Sequence, residues 1–287
     1  MKTSSVWRMS LLTLAMFIVV DFLTGVGLST KPAGTHSAYG WAVASNAIVA
    51  FTVGYLGSWA PWRGFKLAAA LASVPLVIQV INVIEGLNYL NTDQAIRWGM
   101  ALSPLKYLLI VPLWLVFFHS QASSASSELS LPARTFWGKL WRIALCSFLY
   151  LILYFIAGML IFPFVRGFYA TQPMPSVGRV VALQLLLRGP VFVGICVMLA
   201  RMISPRRMST AVAVGLVFTL ISGVAPLIIP NPIFPNWVRW IHLGEVTASN
   251  FLFGVVIALI WSRKVVSHPN PRIRRWPLAR TAHVNSR

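Results

Sequence analysis

The chain has 287 residues, of which 57% are hydrophobic and only 10% charged, with a mean hydropathy of +0.75 and a net charge of +19. A soluble domain of this length cannot hide that much apolar side chain in one core, so the composition excludes an ordinary globular fold and requires a bilayer as solvent. Two cysteines, Cys146 and Cys196, both within apolar runs, exclude a disulfide framework and a cysteine metal site and read as packing residues.

Windows of about 20 residues, the length that crosses a hydrocarbon layer as a helix, fall at 10–29, 39–60, 65–86, 97–118, 142–163, 179–202, 209–229 and 239–261. In lipid a spanning segment satisfies its own backbone only as a helix or in a closed barrel. The predicted fold is therefore all-α, a polytopic integral membrane bundle of eight transmembrane helices. The first run, preceded by Lys2 and Arg8, is read as a span rather than a secretion signal, because Asp21 interrupts it and no small-residue cleavage pattern follows.

In chain order, span one carries Asp21 and Thr24. Span two has Ala50, Gly54 and Ser58 at steps of four, a small-residue seam that lets a neighbouring helix approach closely, and is read as packing only. Span three sets Pro75, Gln79, Asn82 and Gly86 on one stripe with Glu85 beside it, and span four has Ser103 and Lys106 around Pro104. The Ser-rich segment 119–133 is the one long polar stretch between spans, and "RTFWGKLWR" after it is predicted to be a short interfacial helix with Trp137 and Trp141 at headgroup level. Span five offers Ser147, Tyr150, Tyr154 and Gly158. Span six has Gln184 and Arg188, followed at once by Gly189 and Pro190, and span seven has Thr219, Ser222 and Pro226. The loop "PNPIFPNW" is stiff with proline and reads as a rigid turn. Span eight places Arg239, His242, Glu245 and Ser249 at steps of three, three and four, one helical face.

The organisation that follows is 1–118 with four spans, 119–141 as cytoplasmic linker and interfacial helix, 142–262 with four more spans, and 263–287 as a basic tail. Lys and Arg concentrate at the N-terminus, in alternate loops and in the tail, while the opposite side has only Lys31, Arg97, Arg166, Arg179 and Arg239. That bias predicts both termini in the cytoplasm and a bacterial cytoplasmic membrane as the location. The expected partners are the lipid bilayer and, for "PRIRRWPLAR", its anionic headgroups. Nucleic acid is not an expected partner, since no reading module accompanies the basic residues.

The charges inside the spans carry the functional expectation. A rise of about 1.5 Å per residue puts Asp21, Lys106 and Arg188 about 12 to 14 Å below the outer boundary and Glu245 about 5 Å below it, with Glu85 and His242 interfacial. A charge near the midplane costs about 2.5 to 3.5 kcal/mol on insertion scales, so the deep ones must face one another or a cavity. Asp21 is the expected resting partner of Arg188, with Glu245 second; a purely structural network would join Asp21 to Arg188 and Glu245 to Lys106. Pro104 and Pro190 break their helices beside the two cations, as helices that line cavities often do.

Arg188, Lys106, Asp21, Glu245, His242 and Glu85 are therefore the candidate binding residues. Arg suits bidentate contact with carboxylate or phosphate and Lys a point contact. No metal site is expected, because His242 and Glu245 supply two ligands where closed sites take three or four, and His36, His119, His268 and His283 lie in loops. No cofactor is expected, as phosphate-loop and dinucleotide motifs are absent, and the hydrolase and intramembrane-protease signatures are absent too. Three readings follow. The first is a transporter or translocator, proton-linked through His242, for an anionic or amphipathic solute held in an outward cavity headed by Arg188 and Lys106. The second is an intramembrane enzyme acting on a lipid-linked substrate at the outer leaflet, with Glu245 or His242 as general base. The third is a scaffold whose charges only lock helices together.

Overall fold

The computed structural model of the chain describes residues 3–24, 37–89, 94–118, 135–172, 174–203, 207–230 and 234–261. The Ser-rich linker to 134, the basic tail after 261, Lys31, the four loop histidines and part of the proline-rich loop, 231–233, lie outside them.

Helices account for nearly all of the described residues, and no strand occurs among them. Eight helices are long and apolar enough to cross a membrane, close to the eight windows expected. Their elements are α1 (Thr3–Thr24), α2 (Ser37–Trp59), α3 (Gly64–Tyr89), α4 (Gln94–Leu102), a 3-10 stretch (Ser103–Leu109), α5 (Ile110–Phe118), α6 (Phe136–Tyr169) and α7 (Val177–Ala182). A π-helical turn (Leu183–Arg188), α8 (Gly189–Met202), α9 (Arg207–Thr219), a second π turn (Leu220–Val224), α10 (Ala225–Ile228) and α11 (Asn236–Trp261) complete the chain. Three of the eight spans are composites of these pieces.

Each break is caused by a proline. Pro104 has no N–H to give the Met100 carbonyl, the backbone narrows to 3-10 geometry, and the Ser103 hydroxyl donates to that carbonyl instead at 2.8 Å. Pro190 and Pro226 each follow a π turn, in which the helix widens by one residue and the proline ring is accommodated. The carbonyl that Pro226 leaves without its helical donor belongs to Ser222, and the Asn82 side chain of α3 donates to it at 3.4 Å.

Helix α6 differs from expectation. Residues 136–141, read from the sequence as a separate interfacial helix, are the first turns of one 34-residue helix. Thr135 caps it by accepting from the Gly138 N–H at 3.2 Å, so the start of the helix is set before Trp137 and Trp141. At 1.5 Å per residue the helix is about 51 Å long, well beyond a hydrocarbon thickness of about 30 Å.

Close approach is built on glycines. A Cβ at Gly54 would lie 1.9 Å from the Ser10 hydroxyl, so the small-residue seam of α2 is filled by α1. A Cβ at Gly254 would meet the Cα of Gly215 at 2.8 Å, which fixes the crossing of α11 over α9. Gly189 admits Ser147 of α6 in the same way. Beside that crossing four rings from four helices, Tyr150, Phe192, Phe218 and Phe253, form a closed cycle with successive centroid distances of 5.6, 4.9, 5.9 and 4.8 Å. All four side chains are buried. The second π turn and α10 pack against α2 and the π turn also against α3, joining the helices before the linker to those after it.

Because Gly215 and Gly254 touch backbone to backbone, a side chain there has nowhere to go. Gly254→Leu is expected to destabilise the detergent-solubilised protein by about 1 to 3 kcal/mol, read as a lowered thermal unfolding midpoint, whereas Gly244→Ala, at a position with open space around it, leaves the midpoint in place.

Candidate functional site

The six candidate residues separate into two places. Asp21 and Lys106 lie together, with the ammonium 3.1 and 3.2 Å from the two carboxylate oxygens. Asn46 closes the ring: its carbonyl accepts from Lys106 at 2.9 Å and its amide donates to Asp21 at 2.7 Å. The Lys106 nitrogen also sits 5.6 Å from the Phe17 and Tyr107 rings. Acid, base and amide thus answer one another, and the ring borders a small cavity of about 310 Å³ whose other walls include Leu102, Leu105 and Leu109. Two expectations fail here. Asp21 is not the partner of Arg188, because α1 packs on α2 and α5 rather than α8. Span two is not packing alone, because Asn46, one step of four before Ala50, holds the pair.

The other four residues, Glu85, Arg188, His242 and Glu245, line one cavity of about 510 Å³ between α3, α6, α7, the π turns and α11. Arg188, 6% exposed, ends the first π turn and donates from Nη1 to Glu85 Oε2, while Gln184, one turn earlier, donates to Glu85 Oε1 at 2.9 Å. Each oxygen of one carboxylate is held by a different residue of the same helix. The guanidinium carbon lies 5.0 Å from the Phe192 ring and 5.8 Å from Tyr150, so the aromatic cycle forms the floor below it. Glu85 lies a turn before the end of α3 at Tyr89, and its carboxylate turns into the bundle toward Gln184 and Arg188. The alternative structural network, with Glu245 paired to Lys106, does not form either: Lys106 pairs with Asp21 and Glu245 with His242.

Glu245 pairs along its own helix. Its Oε2 lies 2.7 Å from His242 Nδ1, and His242 Nε2 lies 2.7 Å from the hydroxyl of Tyr169, the last residue of α6. Phe168 and Phe234 pack around Tyr169 and the imidazole, with centroids 5.2 to 5.8 Å apart. Of the expected stripe, His242, Glu245 and Ser249 line the cavity. Arg239 does not: it is buried against the end of α10, where it donates to the Leu227 and Ile228 carbonyls and, at 3.0 Å, to Asn236 Oδ1. Those carbonyls end a helix and need donors, which explains a cation there without a ligand.

Sequence reading missed Tyr169 because it lies beyond the predicted end of span five at 163. It also missed Asn250, which donates to Ser222 Oγ at 2.8 Å on the cavity wall. Apart from Asn82, Tyr150 and Tyr154, the remaining wall is apolar, and one side of it is open. Met159 and Phe162 of α6 line the cavity yet are 66% and 54% exposed, and Met174 and Val177 are 58% and 70% exposed. In the far half of α6 Met159, Leu160, Phe162 and Phe164 are exposed, so among the described residues the cavity is open along that flank. Among the described residues no three His, Cys, Asp or Glu side chains converge as metal ligands do. The chain matches no family model, no curated protein and no solved structure.

Removing one member of a buried ion pair leaves the other charged and unanswered, at about 3 to 5 kcal/mol. Arg188→Met and Glu85→Met should each lower thermal stability strongly, and the double variant should recover most of the loss. Strictly additive losses in that double-mutant cycle would show that the two side chains do not act as a pair.

Proposed function

We propose that this chain is an intramembrane enzyme that takes an amphipathic, lipid-linked molecule with an anionic head sideways from the bilayer and performs proton-transfer chemistry on that head. The observation that carries the reading is the make-up of one cavity. Its far wall is charged and hydrogen-bonding, with Arg188, Glu85, His242 and Glu245, and its open flank is apolar, with Met159, Phe162, Met174 and Val177. A molecule with an acyl or prenyl tail and a phosphate or carboxylate head matches both surfaces.

In this reading Arg188 holds the head. A guanidinium stays charged in a protein and presents donors in a planar fork that fits carboxylate or phosphate. Glu85 occupies that place at rest and exchanges with the incoming anion, which keeps the buried charge answered in both states. His242, fixed by Glu245, is the residue of the site that takes up and returns the proton. The site lies toward the helix ends at Tyr89, Tyr169 and Asn236, the side that the sparse Lys and Arg assign to the outside. We assign both termini to the cytoplasm of a bacterium on the same distribution. Translocation is the second reading, favoured by two π turns with prolines that meet at the cavity, since broken helices of this kind accompany moving binding sites.

Untargeted lipid and metabolite comparison of a strain lacking the chain with its parent tests the choice. An enzyme leaves one lipid-linked compound accumulated and a chemically related product missing, and neither Arg188→Gln nor Glu245→Gln restores the parental profile. An unchanged lipid composition with altered distribution between leaflets would replace the enzyme with a translocator.

Topology has its own check. Reporter fusions after His268 and within 230–235 are expected to report opposite sides of the membrane, the first cytoplasmic. Equal sidedness would overturn the orientation.

A further inference from the structure

Both imidazole nitrogens of His242 are engaged, Nδ1 with Glu245 and Nε2 with Tyr169. A bound molecule therefore cannot reach a lone pair or proton of His242 without displacing one of them. The third member of the chain is placed otherwise: Tyr169 lines the cavity, and its oxygen bonds His242 on one side only. From this geometry we infer that the Tyr169 hydroxyl is the catalytic group that meets the substrate, with His242 as its proton store and Glu245 as the residue that orients and balances that store. The inference rests on the reading of the cavity as a site of proton-transfer chemistry.

The hydrogen bonds fix how the chain works. A carboxylate only accepts, so Nδ1 carries a proton and donates to Glu245. In a neutral imidazole Nε2 then has the lone pair and accepts the Tyr169 O–H. The phenol oxygen in that state offers its lone pairs to the cavity and is set to act as a base. When a water at the head group gives its proton to Tyr169, the phenol's own proton passes to Nε2. The water oxygen bonds to the head-group atom under attack, and the bond from that atom to its leaving oxygen breaks. His242 is now an imidazolium between Tyr169 and Glu245, and its Nε2–H donates to the phenol oxygen. The Tyr169 O–H faces the cavity and passes its proton to the leaving oxygen, and Nε2 returns a proton to the phenol. No proton is gained or lost over the cycle, and one residue serves first as base and then as acid.

Position supports the assignment. Tyr169 is the last residue of α6, held among Phe168, Phe234 and His242, at the end of the half-helix that forms the open flank. A tail entering beside Met159 and Phe162 brings its head toward this end.

The test needs no known substrate. An alkyl-chained arylsulfonyl fluoride shares the amphipathic form proposed for the ligand. It reacts with a phenol that has a base beside it: the phenol oxygen bonds to sulfur, fluoride leaves, and the phenol proton goes to Nε2. In the purified, unmutated protein, peptide mass spectrometry is expected to find the label on Tyr169 in preference to Tyr150 and Tyr154, the other tyrosines of the cavity wall. His242→Gln keeps a hydrogen-bonding amide near the place of Nε2 but cannot take a proton, and labelling should slow by about a hundredfold, the scale of general-base assistance. Glu245→Gln is expected to slow it in the same direction, and Tyr169→Phe removes the label. Label on another tyrosine or on His242 in the unmutated protein overturns the inference without any variant. So does a rate in both His242→Gln and Glu245→Gln within about twofold of the unmutated protein, far inside the range expected of a lost base. A strain comparison that finds no enzyme, together with label on Tyr169 that depends on His242, would sink the enzymatic reading and leave the relay standing.

Discussion

A charge surrounded by lipid needs an opposite charge or water beside it, and that requirement organises the whole bundle. Three carboxylates occur within the described spans, and each has its own base: Asp21 with Lys106, Glu85 with Arg188, Glu245 with His242. The first two pairs join helices far apart in sequence, so forming them brings α1 to the 3-10 stretch and α3 to the first π turn. An ion pair of this kind adds little net stability over an apolar contact of the same volume, yet losing half of it is severe. Its effect is selective: an arrangement of eight similar apolar helices that fails to match these partners is penalised, while lipid-facing residues tolerate many neighbours.

The three pairs differ in how much of their surroundings they share with a cavity. The Asp21 ring is closed by Asn46 and bordered by leucines, and all three donors of the Lys106 ammonium can be used within it. Glu85 and Arg188 meet at the wall of the larger cavity, one helix supplying both the guanidinium and the Gln184 amide. The His242 pair, within one helix, extends to a hydroxyl on a second. This progression, from closed ring to open chain, separates a pair answered by its own amide from pairs that line the larger cavity. The prolines belong to the same arrangement, because the π turns before Pro190 and Pro226 aim Arg188 and Ser222 at the cavity from two sides.

The eight helices were legible in the sequence, because hydropathy over a span-length window answers directly to the bilayer. So was the shared face of His242, Glu245 and Ser249, since helical steps of three and four are local geometry. Partnership was not, because it depends on which helices are neighbours, and eight apolar segments of similar length carry little that ranks one neighbour above another. Asp21 was therefore given to Arg188 on depth alone, and Glu85 was left at the interface because span three was ended at 86. Asn46 did carry a signal, as it continues the stripe of Ala50, Gly54 and Ser58 by one step of four. Tyr169 carried none, because a tyrosine near a predicted helix end is as common a headgroup anchor as a wall of a site.

The cycle of Tyr150, Phe192, Phe218 and Phe253 has a consequence for the passage of protons through the bundle. In a membrane, a polar cavity that reaches Arg188 would admit water toward titratable groups, and a continuous hydrogen-bonded file from there through the bundle would let protons cross. Three of the four rings are phenyl groups without lone pairs, and the Tyr150 hydroxyl is the one group among them that can pass a proton. The same buried rings that pack α6, α8, α9 and α11 together thus set a mostly apolar patch beside the Arg188 guanidinium, where a polar neighbour would extend the hydrogen-bonded path.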